Sequence, residues 1–145
     1  MIANRKEGLS LELLERLRRL REDPPPVSGA PHQIHQVYRQ IHRDLFDPDL
    51  NVKTLKARCG LRDNNISTLF RHILGRSIRD YIEEERLRAV VLLLERDAMP
   101  VVEAGLYVGF ANPQTFYRAF KRRFGCTPVE YNADPYRTQL HPVAG

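Results

Sequence analysis

Between Gly109 and Tyr131 the apolar residues Phe116, Ala119, Phe120 and Phe124 recur as one helical stripe, leaving Gln114, Thr115, Tyr117, Arg118, Lys121 and Arg122 on the other faces. The boundaries are marked as well. Asn112 is a good N-cap, Pro113 suits the first helical position, where a missing N–H costs nothing, and Gly125 suits the stop. Thr127 and Glu130 then form a capping box for a further helix. The stretch from Gly60 to Tyr81 repeats this design about 50 residues earlier. Here a helix from Asp63 to Leu74 carries Ile66, Leu69, Phe70 and Ile73 on its stripe and turns Asn64, Asn65, Ser67, Thr68 and Arg71 outward. Gly75 ends it, and Ser77 with Asp80 repeats the capping box. A helical segment precedes each copy, Val52 to Cys59 and Val101 to Val108, and each runs into a glycine. Helix, short turn, helix is the helix-turn-helix pattern, and it occurs twice.

The remaining patterns surround these two units. Ser77 to Arg96 predicts one long connecting helix of about 28 Å, whose second half, Leu87 to Leu94, is apolar almost all round and so requires burial on more than one side. His32 to Phe46 predicts a helix with Ile34, Val37, Tyr38, Ile41 and Leu45 on its stripe, broken at Asp47-Pro48, and Asn51 can cap the next helix. Ala104 and Gly105 stand where close helix packing wants small residues. Near the start, Leu9, Leu13, Leu14, Leu17 and Leu20 form the apolar face of an amphipathic helix beginning near Ser10, too short to be stable alone. Its leucines need a partner, either the chain's own core, a second copy in a homodimer through Leu9, Leu13, Leu17 and Leu20, or another protein. Val91 and Leu92 are candidate docking positions for Leu13, Leu17 and Leu20. The proline-rich stretch Asp23 to Pro31 is a semi-extended linker and the clearest boundary. The expected fold is therefore all-α, with residues 1–31 as leucine-rich helix and linker. Residues 32–132 form two helix-turn-helix subdomains joined by the long helix, and 133–145 a disordered tail.

The formal net charge of +5 and pI of about 9.5 favour an anionic partner without distinguishing nucleic acid from a membrane surface. The placement of charge is more informative. The helix after Asn112 has basic residues and no acid, whereas Glu83 to Glu85 form an acidic run elsewhere, an asymmetry suited to one DNA-binding face. No apolar run is long enough to span a bilayer and no signal peptide is apparent, which makes the cytoplasm the default location and leaves no membrane partner. Cys59 and Cys126 read as buried free thiols. His32, His35 and His42 share one helix without a convergent further ligand, so they read as solvated, and neither a metal nor another cofactor is expected.

Residues from about Gln33 to Asn132 resemble the AraC/XylS-type DNA-binding domain of bacterial transcription regulators. The second unit carries the more specific signature, in Gly109-Phe110, Phe116, Arg118 to Lys121, Phe124-Gly125 and Pro128 to Tyr131. The resemblance implies a sequence-specific regulator that reads the major groove of double-stranded DNA. Its groove-facing positions match Gln114 and Arg118; Thr115 and Tyr117 beside them, and Asn64, Asn65 and Thr68 on the outward face of the first unit, are the further candidates for base contacts. Arg suits guanine, and Gln or Asn suits adenine. Arg71, Lys121, Arg122 and Ser67 are expected at phosphates. RNA polymerase or another protein would be the second partner. About 31 residues precede the domain, too few for the ligand-binding barrel often found in the family, so a compact member and a fragment of a longer regulator both remain open. An adaptor that binds another protein through the leucine-rich helix, with weak or non-specific DNA binding, is the alternative. Nothing resembles a nucleophile–base pair or a phosphate-cradling loop, so an enzyme is not expected.

Overall fold

Four side chains turn back to cap the helices that follow them: Ser10 accepts from the amide of Leu13 at 3.1 Å, Asn51 from Thr54 at 3.0 Å, Ser77 from Asp80 at 3.1 Å and Asn112 from Thr115 at 2.9 Å. Each satisfies a donor that the first helical turn cannot pair. The computed structural model describes residues 9–62, 65–96 and 98–133, and all regular structure among them is α-helical. The order is α1 (Leu11–Glu22), α2 (His32–Arg43), α3 (Val52–Arg58), α4 (Asn65–Leu74), α5 (Ile78–Glu95), α6 (Val101–Tyr107), α7 (Pro113–Phe124) and α8 (Pro128–Ala133). The expectation of a disordered tail falls almost wholly outside the described residues.

Two apolar cores share α5. Its first half contributes Ile78, Tyr81 and Ile82 to a cluster with Ile34 and Ile41 of α2, Leu55 of α3 and Phe70 of α4. Its second half contributes Leu87, Ala89, Val90, Leu93 and Leu94 to a cluster with Ala104, Phe116, Phe120 and Tyr131. That division accounts for the nearly all-round apolarity of the second half, because α1 covers the side that α6 and α7 leave open. Leu9, Leu13 and Leu17 are buried in this second core, and Leu20, Val91 and Leu92 pack against it. Full burial of Leu13 and Leu17 stabilises by roughly 1.5–3 kcal/mol each. Of the leucines expected at a homodimer contact, Leu9, Leu13 and Leu17 are thus used inside the chain and Leu20 packs against the same core, while Leu11 of α1 is 86% exposed.

Arg86 departs from the expectation for a charged residue. It is 8% exposed, and its guanidinium donates from Nε to the carbonyl of Leu45 at 2.8 Å and from Nη2 to that of Asp47 at 2.7 Å, in the turn after α2. Phe46, within that turn, packs against both cores and lies under the guanidinium of Arg21.

His42 is likewise corrected from solvated to buried, at 2% exposure. Its Nδ1 donates to the carbonyl of Leu20 in α1, and its Nε2 accepts from the Tyr81 hydroxyl at 2.7 Å. Tyr38 donates to the carbonyl of Pro25 at 2.6 Å, so α1 and the linker are both tied to α2 by polar contacts. His32 is exposed and His35 half-buried. Cys59 is buried and Cys126 only half-buried; neither is in a disulfide, and they lie in different clusters.

Burial holds the pKa of His42 below its ordinary value of 6.5. The unfolded chain therefore takes up the proton first, and the stability His42 contributes is complete above about pH 6.5 and is lost as pH falls below it. The expected slope approaches about 1.4 kcal/mol per pH unit in that window. Urea unfolding between pH 7.5 and 5 should show this loss in the native chain and a shallower one in His42→Gln, which can still donate and accept. Parallel pH profiles for the two chains would contradict it.

Candidate nucleic-acid interface

Each helix-turn-helix unit is built by sinking one aromatic stripe into its own core. In the second unit α7 buries Phe116, Ala119 and Phe120, and Phe116 lies directly over Gly105 of α6. A Cβ at Gly105 would stand 2.3–2.7 Å from the Phe116 ring, so the glycine is what lets the two helices approach. Gly109 in the turn has φ +110, and a Cβ there would meet Arg86 Nε and the Leu45 carbonyl oxygen at 2.9 Å. At the far end Gly125 adopts φ 79 and its amide donates to the Lys121 carbonyl at 2.8 Å, stopping α7.

This packing leaves Gln114, Thr115, Arg118, Lys121 and Arg122 exposed on α7. Gln114 and Arg118 lie one turn apart near the start of the helix. Arg118 and Lys121 have no ion pair among the described residues, whereas the guanidinium of Arg122 is held by the carboxylate of Glu83 in α5. Tyr117 is at the margin rather than outward: it is half-buried, edge-on to Phe116 at 5.6 Å. The expectation that it faces outward is thereby corrected, because Tyr117 falls about 20° from Phe124 around the helix, at the edge of the apolar stripe.

In the first unit α4 buries Ile66 and Phe70 and exposes Asn65, Thr68 and Arg71, with Ser67 half-buried. Asn64 lies outside the described residues. His72 is a further exposed residue on the same helix, outside the set expected from the stripe. The repeat itself carried the signal, because the offset that matches Phe70 with Phe120 also matches Thr68 with Arg118, Arg71 with Lys121 and His72 with Arg122. The two faces are alike in position and different in chemistry, the first mainly amide, hydroxyl and imidazole, the second mainly cationic. No group of three or more His, Cys, Asp or Glu side chains placed to hold a metal occurs among the described residues, and no helix there is long and apolar enough to cross a membrane.

A family model described as a helix-turn-helix domain matches residues 55–134. The chain is 30% identical over 130 residues to the arabinose operon regulatory protein of Escherichia coli (strain K12), a match covering 88% of this chain and 44% of that protein. It is 28% identical over 101 residues to regulatory protein SoxS of the same organism, covering 65% of this chain and 94% of the relative. Among solved structures, the DNA-binding domain of AdpA, a global transcriptional factor, in complex with a target DNA, superposes with a TM-score of 0.65 at 25% identity. That match covers 75% of this chain and 96% of the other. The chain spans under half the length of the curated relatives it matches first.

Gly105→Ala sets two effects against each other. Helix propensity favours alanine by about 1 kcal/mol, while forcing a methyl into the Phe116 ring costs roughly 1–3 kcal/mol. The overlap is severe enough that a net loss of stability is expected in urea unfolding, and a gain would show that α6 and α7 are less closely packed than described.

Proposed function

This chain belongs to the AraC/XylS-type helix-turn-helix family, and on that footing we propose that it is a sequence-specific transcription regulator binding duplex DNA through α4 and α7. The observation that carries the reading is the pair of exposed, groove-sized helices mounted on one rigid α5. At 18 residues α5 is about 27 Å long, the order of the one-turn separation, about 34 Å, between successive major grooves on one DNA face. The match to a domain described in complex with a target DNA supports the same orientation of the molecule toward its partner.

Recognition divides between base edges and phosphates. In α7 we assign base contacts to Gln114 and Arg118, with Thr115 beside them and Tyr117 at the edge of the face; in α4 to Asn65 and Thr68, with Asn64 at its entrance. Bidentate arginine to guanine and amide to adenine are the pairings these side chains favour. Lys121 and Arg122 in the second unit, and Arg71 with Ser67 in the first, lie further along and suit phosphates. Regulation also requires a protein contact, with RNA polymerase or another protein. Val102 and Leu106 of α6 and Val129 of α8, left 39%, 42% and 52% exposed on the second unit, are the apolar positions offered to it. The site of action would be the cytoplasm.

The test compares a specific duplex with scrambled DNA across a salt series. Arg118→Ala should cost roughly 1–3 kcal/mol on the specific duplex and relax preference at one base pair. Lys121→Ala should weaken binding to both duplexes alike and lower the salt slope by about 1. Equal losses on specific and scrambled DNA for Arg118→Ala would refute its base-reading role.

A further inference from the structure

Glu83 and Glu84, the first two members of the acidic run, lie opposite the basic end of α7 and pair with Arg122 and Arg123. Glu84 is the informative member. One of its carboxylate oxygens, Oε2, is held by Nη1 of Arg76, and the other, Oε1, by Nη2 of Arg123 at 2.9 Å. Arg76 directly follows Gly75, which ends α4, and Arg123 is in the last turn of α7. The exits of both recognition helices therefore meet on one side chain. The carboxylate is only 13% exposed, and its two partners 32% and 22%. A three-membered network shielded in this way is unlike the isolated surface pairs whose contribution is small.

The apolar cores do not perform this role. Ile66 and Phe70 of α4 belong to one cluster, and Phe116, Ala119 and Phe120 of α7 to the other, so the two helices share α5 but no common cluster. Arg86 links the units from another flank of α5, because side chains two residues apart on a helix project about 200° apart. Phe46, packed on both cores, and α1, through the Leu20 carbonyl on His42, also span the junction, and the Glu84 bridge adds to them a tie between the ends of α4 and α7 themselves.

We propose that Glu84 is a positioning residue that fixes the mutual orientation of the two recognition helices and so sets the spacing of the base blocks they read, an inference that rests on the two-unit DNA reading above. Removing its charge leaves Arg76 and Arg123 facing each other without a counter-ion, which drives the helix exits apart.

Two measurements on the full chain separate this inference from the reading beneath it. Spin labels at His72→Cys and Lys121→Cys, with Cys59 and Cys126 replaced by alanine, report the α4–α7 distance without DNA. Glu84→Gln and Arg123→Gln should each broaden that distribution about twofold while helix content is retained. In the unlabelled chain, binding is measured to duplexes carrying the two preferred blocks at their selected spacing and at spacings one or two base pairs off. Glu84→Gln should lower the preference for the selected spacing about fivefold, while affinity for a single block stays within about twofold. An unchanged distance distribution in both variants, or an unchanged spacing preference in Glu84→Gln, would overturn the proposal. A native chain indifferent to spacing would instead overturn the two-unit reading, while the spin-label distances still decide whether Glu84 sets the orientation.

Discussion

The guanidinium of Arg86 holds three elements in register from inside the protein. A charge at 8% exposure costs several kcal/mol unless its protons are taken up, and the carbonyls of Leu45 and Asp47, beyond the end of α2, take them. Hydrogen bonds to a charged group contribute about 1.5–3 kcal/mol each, enough to offset the burial. Desolvation lowers the pKa of Arg86 to about 10, so it remains cationic near neutral pH. The chain passes so close to this group at Gly109 that no side chain fits there. One residue of α5 thereby fixes the exit of α2, the middle of the connecting helix and the turn between α6 and α7.

From that constraint the rest of the architecture follows. Because α5 serves both cores, the two helix-turn-helix units are not free beads on a linker but are built on the two halves of one helix. The N-terminal segment reinforces this arrangement. Leu13 and Leu17 close the second core, while the carbonyls of Leu20 and Pro25 bond to His42 and Tyr38 of the first unit, so α1 and its linker lie as a strap across the junction. Apolar burial supplies most of the strap's stability, and the buried imidazole makes part of it dependent on pH.

Much of this was legible in the sequence because it depends on neighbours close in the chain. Ser10, Asn51, Ser77 and Asn112 bond to amides three residues on, and the stripes of α2, α4 and α7 follow from helical period alone. What escaped depends on partners distant in sequence. His42 sits beside Ile41 on the edge of an apolar stripe, but its acceptor and donor lie 22 and 39 residues away. Arg86 is embedded in a charged run that reads as a solvated face, and only the fold reveals two carbonyls waiting for it. The leucines of α1 declared that they needed a partner; amphipathic spacing cannot say which one, and a shared α5 with one side uncovered supplied it. In the interface, the repeat offset identified the outward positions, whereas the half-burial of Tyr117 and the pairing of Arg122 with Glu83 depend on how α7 meets its surroundings.

The central claim is that one rigid body presents two readers at a fixed separation. Selection of binding sites from a random duplex library at near-physiological salt tests it most directly. The account predicts a motif with two preferred blocks about one helical turn, roughly 10 base pairs, apart. A single block, or salt-steep binding with no motif, would contradict it.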